Sequence, residues 1–171
     1  MPSDLYSFVQ ASTKKIPIFV NGKEVNYAIE NGYAVLTKTW KKGDVINLEL
    51  PMNVQKIISN EKVEGNIGKV ALQRGPILYC AESTDNFGLT SNLIIPSTSN
   101  FKTDYKSDML NGIVVLTGDA VAISVDSEKN SVSTKPQTLT VIPYYAWAHR
   151  GKGEMMIWFP QKISAIDILS H

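Results

Sequence analysis

Val45-Ile46-Asn47-Leu48-Glu49-Leu50 decides the fold class of this chain: Ile46, Leu48 and Leu50 fall on one side of an extended backbone, and Val45, Asn47 and Glu49 on the other. Alternation with period two describes a strand with one apolar and one wetter face. The turn Lys41-Lys42-Gly43-Asp44 precedes it, and Pro51, which has no N–H for a ladder, ends it. Upstream, the runs Ile16 to Val20 and Glu24 to Ile29 flank Asn21-Gly22. That dipeptide tolerates positive φ at both positions and is the strongest short hairpin signal available. A second such pair, Asn31-Gly32, is followed by Tyr33 to Trp40, which alternates in the same way. Four strands with short turns, a meander, are expected before residue 52.

The remainder has the same character. Ile, Val and Thr number 42 of 171 residues and Ala plus Leu only 22, a bias toward side chains that suit a pleated surface. Strands are expected at 54–59, 69–72, 77–81, 113–116, 121–125, 138–142 and 154–159. Two polar stretches, 83–112 and 126–137, are expected to form long loops or edge segments. Residues 163–169 are too short a run for periodicity to separate a strand from a helical turn. No helix of three turns and no internal repeat is found. The fold class is therefore all-β, an antiparallel, jelly-roll-like sandwich over 61–171 with a partial sandwich or meander over 1–60.

Composition removes several functions. Leu, Ile, Val and Phe total 48, enough for a core. No apolar run approaches the ~20 residues of a membrane span, and the opening MPSDLYSFVQASTKK has no apolar segment of the secretory type. Membrane is therefore not an expected partner, and the compartment stays open. Seventeen basic against sixteen acidic residues, without charge blocks, offer nothing to track a phosphate backbone, so nucleic acid is not expected either. The single cysteine, Cys80, allows no internal disulfide and no multi-cysteine zinc site. Neither a metal nor a cofactor is expected, since the glycines form no dinucleotide or Walker pattern.

Catalytic constellations are equally hard to assemble. Asp44, Glu49, Glu64 and Glu82 are the acids nearest apolar strands, and no spacing pairs them as glycoside hydrolysis requires. His149 and His171 are the only histidines, one at a turn and one at the chain end, which leaves no nucleophile triad. Cys80 lies within Ile77-Leu78-Tyr79-Cys80-Ala81 and reads as a neutral buried thiol. No catalytic residue is assigned.

The two arginines, among fifteen lysines, both precede glycine: Arg74 in Gln73-Arg74-Gly75-Pro76 and Arg150 in His149-Arg150-Gly151. A planar donor fork suits pairing with a carboxylate or capping of strand-end carbonyls, with a sugar or phosphate contact as the sharper alternative. For Arg74, with Gly75 and Pro76 restricting the backbone beside it, the structural role is expected. Tyr144, Tyr145, Trp147 and Trp158 form an aromatic group that either packs or stacks on sugar faces.

Two segments carry a resemblance. Gly68-Lys69-Val70-Ala71-Leu72-Gln73-Arg74-Gly75-Pro76-Ile77-Leu78-Tyr79-Cys80-Ala81-Glu82 resembles the opening of the C-terminal β domain of glycoside hydrolase family 127, the β-L-arabinofuranosidase family. Ile142-Pro143-Tyr144-Tyr145-Ala146-Trp147-Ala148-His149-Arg150-Gly151, leading into Met155 to Pro160, is similar to its closing strands. Val20-Asn21-Gly22, Gly32-Tyr33, Trp40 to Asp44 and Leu50-Pro51-Met52 resemble the end of that family's middle β-sandwich. His149 stands where the family usually has Asn, and nothing before Lys14 matches the strand that starts the middle sandwich.

The resemblance implies that the catalytic acid, the cysteine nucleophile and its zinc ligands reside in an N-terminal helical barrel, and none of them matches a residue here. Cys80 aligns with a cysteine of the β region. The expected function is that of a non-catalytic β region that braces a parent's catalytic barrel. The alternative is a carbohydrate-binding module that uses Tyr144, Trp147 and Trp158 on arabinose-containing glycans, and a free-standing hydrolase is the third reading. The apolar face of Ile46, Leu48 and Leu50 needs cover, either from the same chain or from a second copy in a homodimer.

Overall fold

The computed structural model describes residues 4–10, 15–126, 128 and 131–165. It is all-β, with antiparallel pairing throughout and only single-turn 3-10 helices between strands. The chain forms two compact units, Ala11–Met52, and Met1–Gln10 together with Asn53–His171. A division at residue 60 would separate Val54–Ser59 from the larger unit. That strand instead pairs there, with Val54 opposite Arg74 and Ile57 opposite Ala71.

In the smaller unit Asn21 and Gly22, at φ 52° and 76°, join Ile18–Val20 to Lys23–Glu24. Asn31 and Gly32, at 50° and 84°, join Ala28–Glu30 to Tyr33–Val35. Both hairpin turns thus use the left-handed conformations that these residues tolerate. Ile46–Leu48 returns past the second hairpin to pair with Ile18–Val20, with Leu48 opposite Ile18 and Ile46 opposite Val20. The second strand of that hairpin stops at Val35, well short of Trp40. Ile18 and Val20 are buried, whereas Ile46, Leu48 and Leu50 stay more than half exposed.

The larger unit is built on the strand order Tyr6–Phe8, Val54–Ser59, Lys69–Arg74, Ile77–Glu82, Ser131–Pro143, Ile113–Asp126, Leu93–Ile94. Ile113–Asp126 and Ser131–Pro143 are two long strands paired from Leu116 opposite Val141 onward. They absorb the two short strands expected at 113–116 and 121–125, and they extend into the polar stretch 126–137. Phe101–Lys106, inside the other polar stretch, is also a strand, paired with 113–118. Lys102, Thr103, Asp104 and Tyr105 are exposed, so the segment has the composition of a loop while its backbone is held by the neighbouring strand. Gly118, opposite Phe101, makes this pairing possible: a Cβ there would lie 2.6 Å from the Phe101 ring and 2.5 Å from the Asn100 carbonyl.

The expected strand at 154–159 is two separate bridges, Met155–Met156 on Ala81–Glu82 and Phe159–Pro160 on Lys69–Val70. Residues 163–165 form a 3-10 turn, and 166–169 lie outside the described residues. One core gathers Val70, Leu72, Tyr79, Leu93, Ile95, Leu116, Leu139, Val141 and Phe159. On the other face of the same strands a smaller core joins Cys80, Ile113, Val115, Ile142 and Ala146. Central strands buried on both faces carry continuous apolar runs such as Ile77 to Ala81, where alternation disappears.

Candidate functional site

A carboxylate cluster of the larger unit forms where Ile77–Glu82 runs out into the turn Ser83–Asp85 and meets the loop after Pro143. Arg150 joins the two. Its Nε donates to Glu82 Oε2 at 3.1 Å, its Nη1 to Asp85 Oδ1 at 2.9 Å, and its Nη2 to both Glu82 Oε2 and Asp85 Oδ2. The free oxygen of Glu82 accepts from the Ala148 amide at 3.1 Å. Hydrogen bonds donated to Asp85, then to Glu82, hold the guanidinium further above its ordinary pKa despite partial burial. The bidentate geometry is one that only arginine supplies.

Around this centre further polar groups pair with one another. Glu154 Oε2 accepts from the amides of Thr90 at 2.9 Å and Ser91 at 3.1 Å, which lowers its pKa. Ser83 Oγ accepts from the Glu154 amide. Asn86, fully buried, donates to the carbonyls of Glu82 and Thr140 and accepts from the Thr140 amide. The space between Arg150, Glu82, Trp147 and Glu154 is about 20 Å³, room for about one water molecule. The arrangement is a clamp between loops. Sequence reasoning named Arg150 and Glu82 and did not join them, and it missed Asp85 and Asn86. The signal was Glu82-Ser83-Thr84-Asp85, two acids three residues apart at the end of a buried strand.

Among the described residues Arg74 does not have the carboxylate or carbonyl partner expected of it. Among the described residues its guanidinium faces the Tyr79 phenol, and its Nε is buried without a hydrogen-bond partner. Tyr79 itself donates to the Val114 carbonyl at 2.9 Å, and burial raises its pKa. Gly75, at φ 56°, and Pro76 form the two-residue turn between Arg74 and Ile77. Cys80 is fully buried, and burial above all, with Glu82 behind it, pushes its thiol up to about 12.

The aromatic residues form two pairs. Tyr144 and Trp147, in the turn after Pro143, stack on each other with centroids 5.9 Å apart. Trp158 stacks on Tyr6 at 5.7 Å. That second pair borders an apolar groove of about 680 Å³ floored by Ile57, Ala71 and Leu78 and flanked by Ile157. The groove continues the face on which the Cys80 core sits, beyond where Met155 and Ile157 cover it.

Known proteins share this fold. The family model described as glycoside hydrolase family 127 C-terminal domain matches residues 54–160, and that of the β-L-arabinofuranosidase GH127 middle domain matches 9–52. The chain belongs to glycoside hydrolase family 127. A non-reducing end β-L-arabinofuranosidase of Bifidobacterium longum subsp. longum is 31% identical over 150 residues, 81% of this chain and 23% of that protein. A solved GH127 β-arabinofuranosidase superposes with a TM-score of 0.89 at 40% identity, covering 97% of this chain and 26% of the other. A GH127 β-L-arabinofuranosidase from Geobacillus stearothermophilus T6 gives 0.80 at 37% identity, covering 87% and 25%. The chain thus spans about a quarter of the length of these family 127 relatives.

Proposed function

We propose that this chain is a non-catalytic β region of a family 127 enzyme and gives structural support to the catalytic barrel that the family resemblance implies. The observation that carries this reading is the commitment of the acids at the clamp. Glycoside hydrolysis needs a carboxylic acid that holds a proton and a second carboxyl group about 5 to 9.5 Å away across a bound sugar. Glu82 and Asp85 share one guanidinium in a space of about 20 Å³. All four carboxylate oxygens accept hydrogen bonds from Arg150 or from the Ala148 amide, so neither group is placed to act across a bound sugar.

The apolar groove beside Trp158 is the surface for the rest of such an enzyme. It has few polar groups to satisfy a sugar, because the amide of Gln73, its buried polar wall, already donates to the Gly75 carbonyl. Since the relatives are about four times longer than the region matched here, most of a family 127 enzyme is available to cover it. A hybrid tests this: the matching C-terminal part of the B. longum relative is replaced by this chain. The hybrid should hydrolyse a β-L-arabinofuranoside. Leu78→Glu should lower its melting temperature by several degrees while leaving that of the free chain nearly unchanged. Equal stability of both hybrids would contradict docking through the groove.

A further inference from the structure

The dipeptide Asn-Gly occurs at 21–22, 31–32 and 111–112. Besides turning the chain, it carries a reaction of its own, because the glycine nitrogen has no neighbouring side chain to keep it from the side-chain carbonyl carbon of the asparagine before it. The structure treats the three copies differently. Asn21 is held at both ends of its amide: Nδ2 donates to Asp44 Oδ1 at 2.8 Å, and Oδ1 accepts from the Val45 amide at 2.9 Å. The strand before it, Ile18–Val20, is the middle one of three, with Ile18 and Val20 buried. At Asn111 the attacking atom is occupied, because the Gly112 amide donates to the Met109 carbonyl at 2.9 Å. Gly112 also leads directly into buried Ile113.

Neither restraint acts on Asn31. Among the described residues, its side-chain amide and the Gly32 N–H have no hydrogen-bond partner, and both residues are exposed. Their hairpin, Ala28–Glu30 with Tyr33–Val35, is a sheet of two strands in which only Val35 is partly buried. Two strands without a packed face are marginal in water, so this turn opens at low cost and gives Asn31 the freedom to reach the attack geometry. We propose that Asn31 is a deamidation site, at which the neutral turn becomes a mixture of aspartate and isoaspartate. The Gly32 amide gives its proton to hydroxide, and its nitrogen bonds to Asn31 Cγ. The Cγ–Nδ2 bond then breaks, and Nδ2 leaves as ammonia with a proton from water, which returns the hydroxide and closes a five-membered succinimide. Water opens that ring: hydrolysis at Cγ yields aspartate, and hydrolysis at the backbone carbonyl yields isoaspartate, with the main chain rerouted through Cγ. The rerouted chain is one methylene longer in a two-residue turn that sets Glu30 opposite Tyr33, and turn length fixes hairpin register. Modification therefore unpairs the hairpin. This inference does not rest on the supporting role proposed above.

The test is incubation of the full chain in mildly alkaline buffer at body temperature, with and without urea, followed by peptide mass spectrometry with fragmentation that separates aspartate from isoaspartate. In buffer Asn31 should convert at least about tenfold faster than Asn21, because freeing Asn21 breaks two hydrogen bonds that Asn31 does not make. It should also convert faster than Asn111. In urea the three rates should converge, since the dipeptide is the same and the restraints are gone. Asp44→Ala, which removes the acceptor of Asn21 Nδ2, should raise conversion at Asn21 and leave Asn111 as it was. Asn21 or Asn111 converting as fast as Asn31 in buffer would overturn the proposal. So would an unconverted Asn31, an order of rates that persists in urea, or an Asn21 that stays equally slow in Asp44→Ala.

Discussion

Leu72 and Leu48 both lie on strands that present apolar side chains to one face, yet one is fully buried and the other 54% exposed. Around Leu72 the larger unit closes a second layer, with Leu116, Leu139 and Phe159 from distant parts of the chain. Around Leu48 the smaller unit offers Ile18 and Val20 and little else that is buried. Apolar alternation thus specifies which face a strand offers, while a core exists only where another layer meets that face. The contrast does not extend to charge. The larger unit encloses Glu82 with Arg150, and the smaller one leaves the Asp44 side chain only 12% exposed, where it accepts from Asn21 Nδ2 at 2.8 Å, the Lys41 amide at 3.0 Å and Lys38 Nζ at 3.1 Å.

Four measurements can break or sharpen this comparison. The largest effect is expected from Glu82→Ala, which leaves the Arg150 Nε and the Ala148 amide without their acceptor and the guanidinium with Asp85 alone. Unfolding of the larger unit should become easier by about 3 kcal/mol, and a denaturation midpoint that does not move would show that the clamp is ornamental. Leu72→Ala removes a side chain from the closed core and should cost the same unit about 2–4 kcal/mol. Leu48→Ala should cost the smaller unit only ~1 kcal/mol, because half the side chain already meets water. If it costs as much as Leu72→Ala, the face is covered in solution, and the sedimentation behaviour of the chain then shows whether a second copy covers it.

The smallest effect is a pH dependence. Asp44 is lowered to about 2 in the folded unit, first by Asn21, then by the Lys41 amide and Lys38. A depressed carboxylate stabilises the fold fully above its unfolded pKa of about 3.9, and this contribution is lost as pH falls from there through about 2. Hydrogen exchange in strand Ile46–Leu48 should therefore accelerate across that window, and Asp44→Asn should flatten the dependence. A parent profile as flat as that of the variant would show that the turn network does not couple to folding.

Much of the fold was legible because local rules and global structure agree. Asn-Gly at 21–22 and 31–32 dictates two hairpins through backbone freedom alone, and the unbroken run Ile77 to Ala81 announces a strand buried on both faces. Phe101–Lys106 was illegible because its strand state depends on pairing with 113–118 and on Gly118, neither of which its own polar composition reveals. The clamp was half legible. An arginine among many lysines points to a planar fork, and Arg150 has one, but its partners lie 65 and 68 residues away. The same rule misled at Arg74, where the hairpin turn directs the guanidinium toward Tyr79.

The reading of the chain as a supporting region of a hydrolase is tested most directly by assaying the purified chain alone on an aryl β-L-arabinofuranoside. The locked carboxylates and the buried, high-pKa thiol of Cys80 predict release of the aryl group at the uncatalysed rate. Turnover that survives repurification and disappears on replacing Glu82 or Asp85 would contradict it.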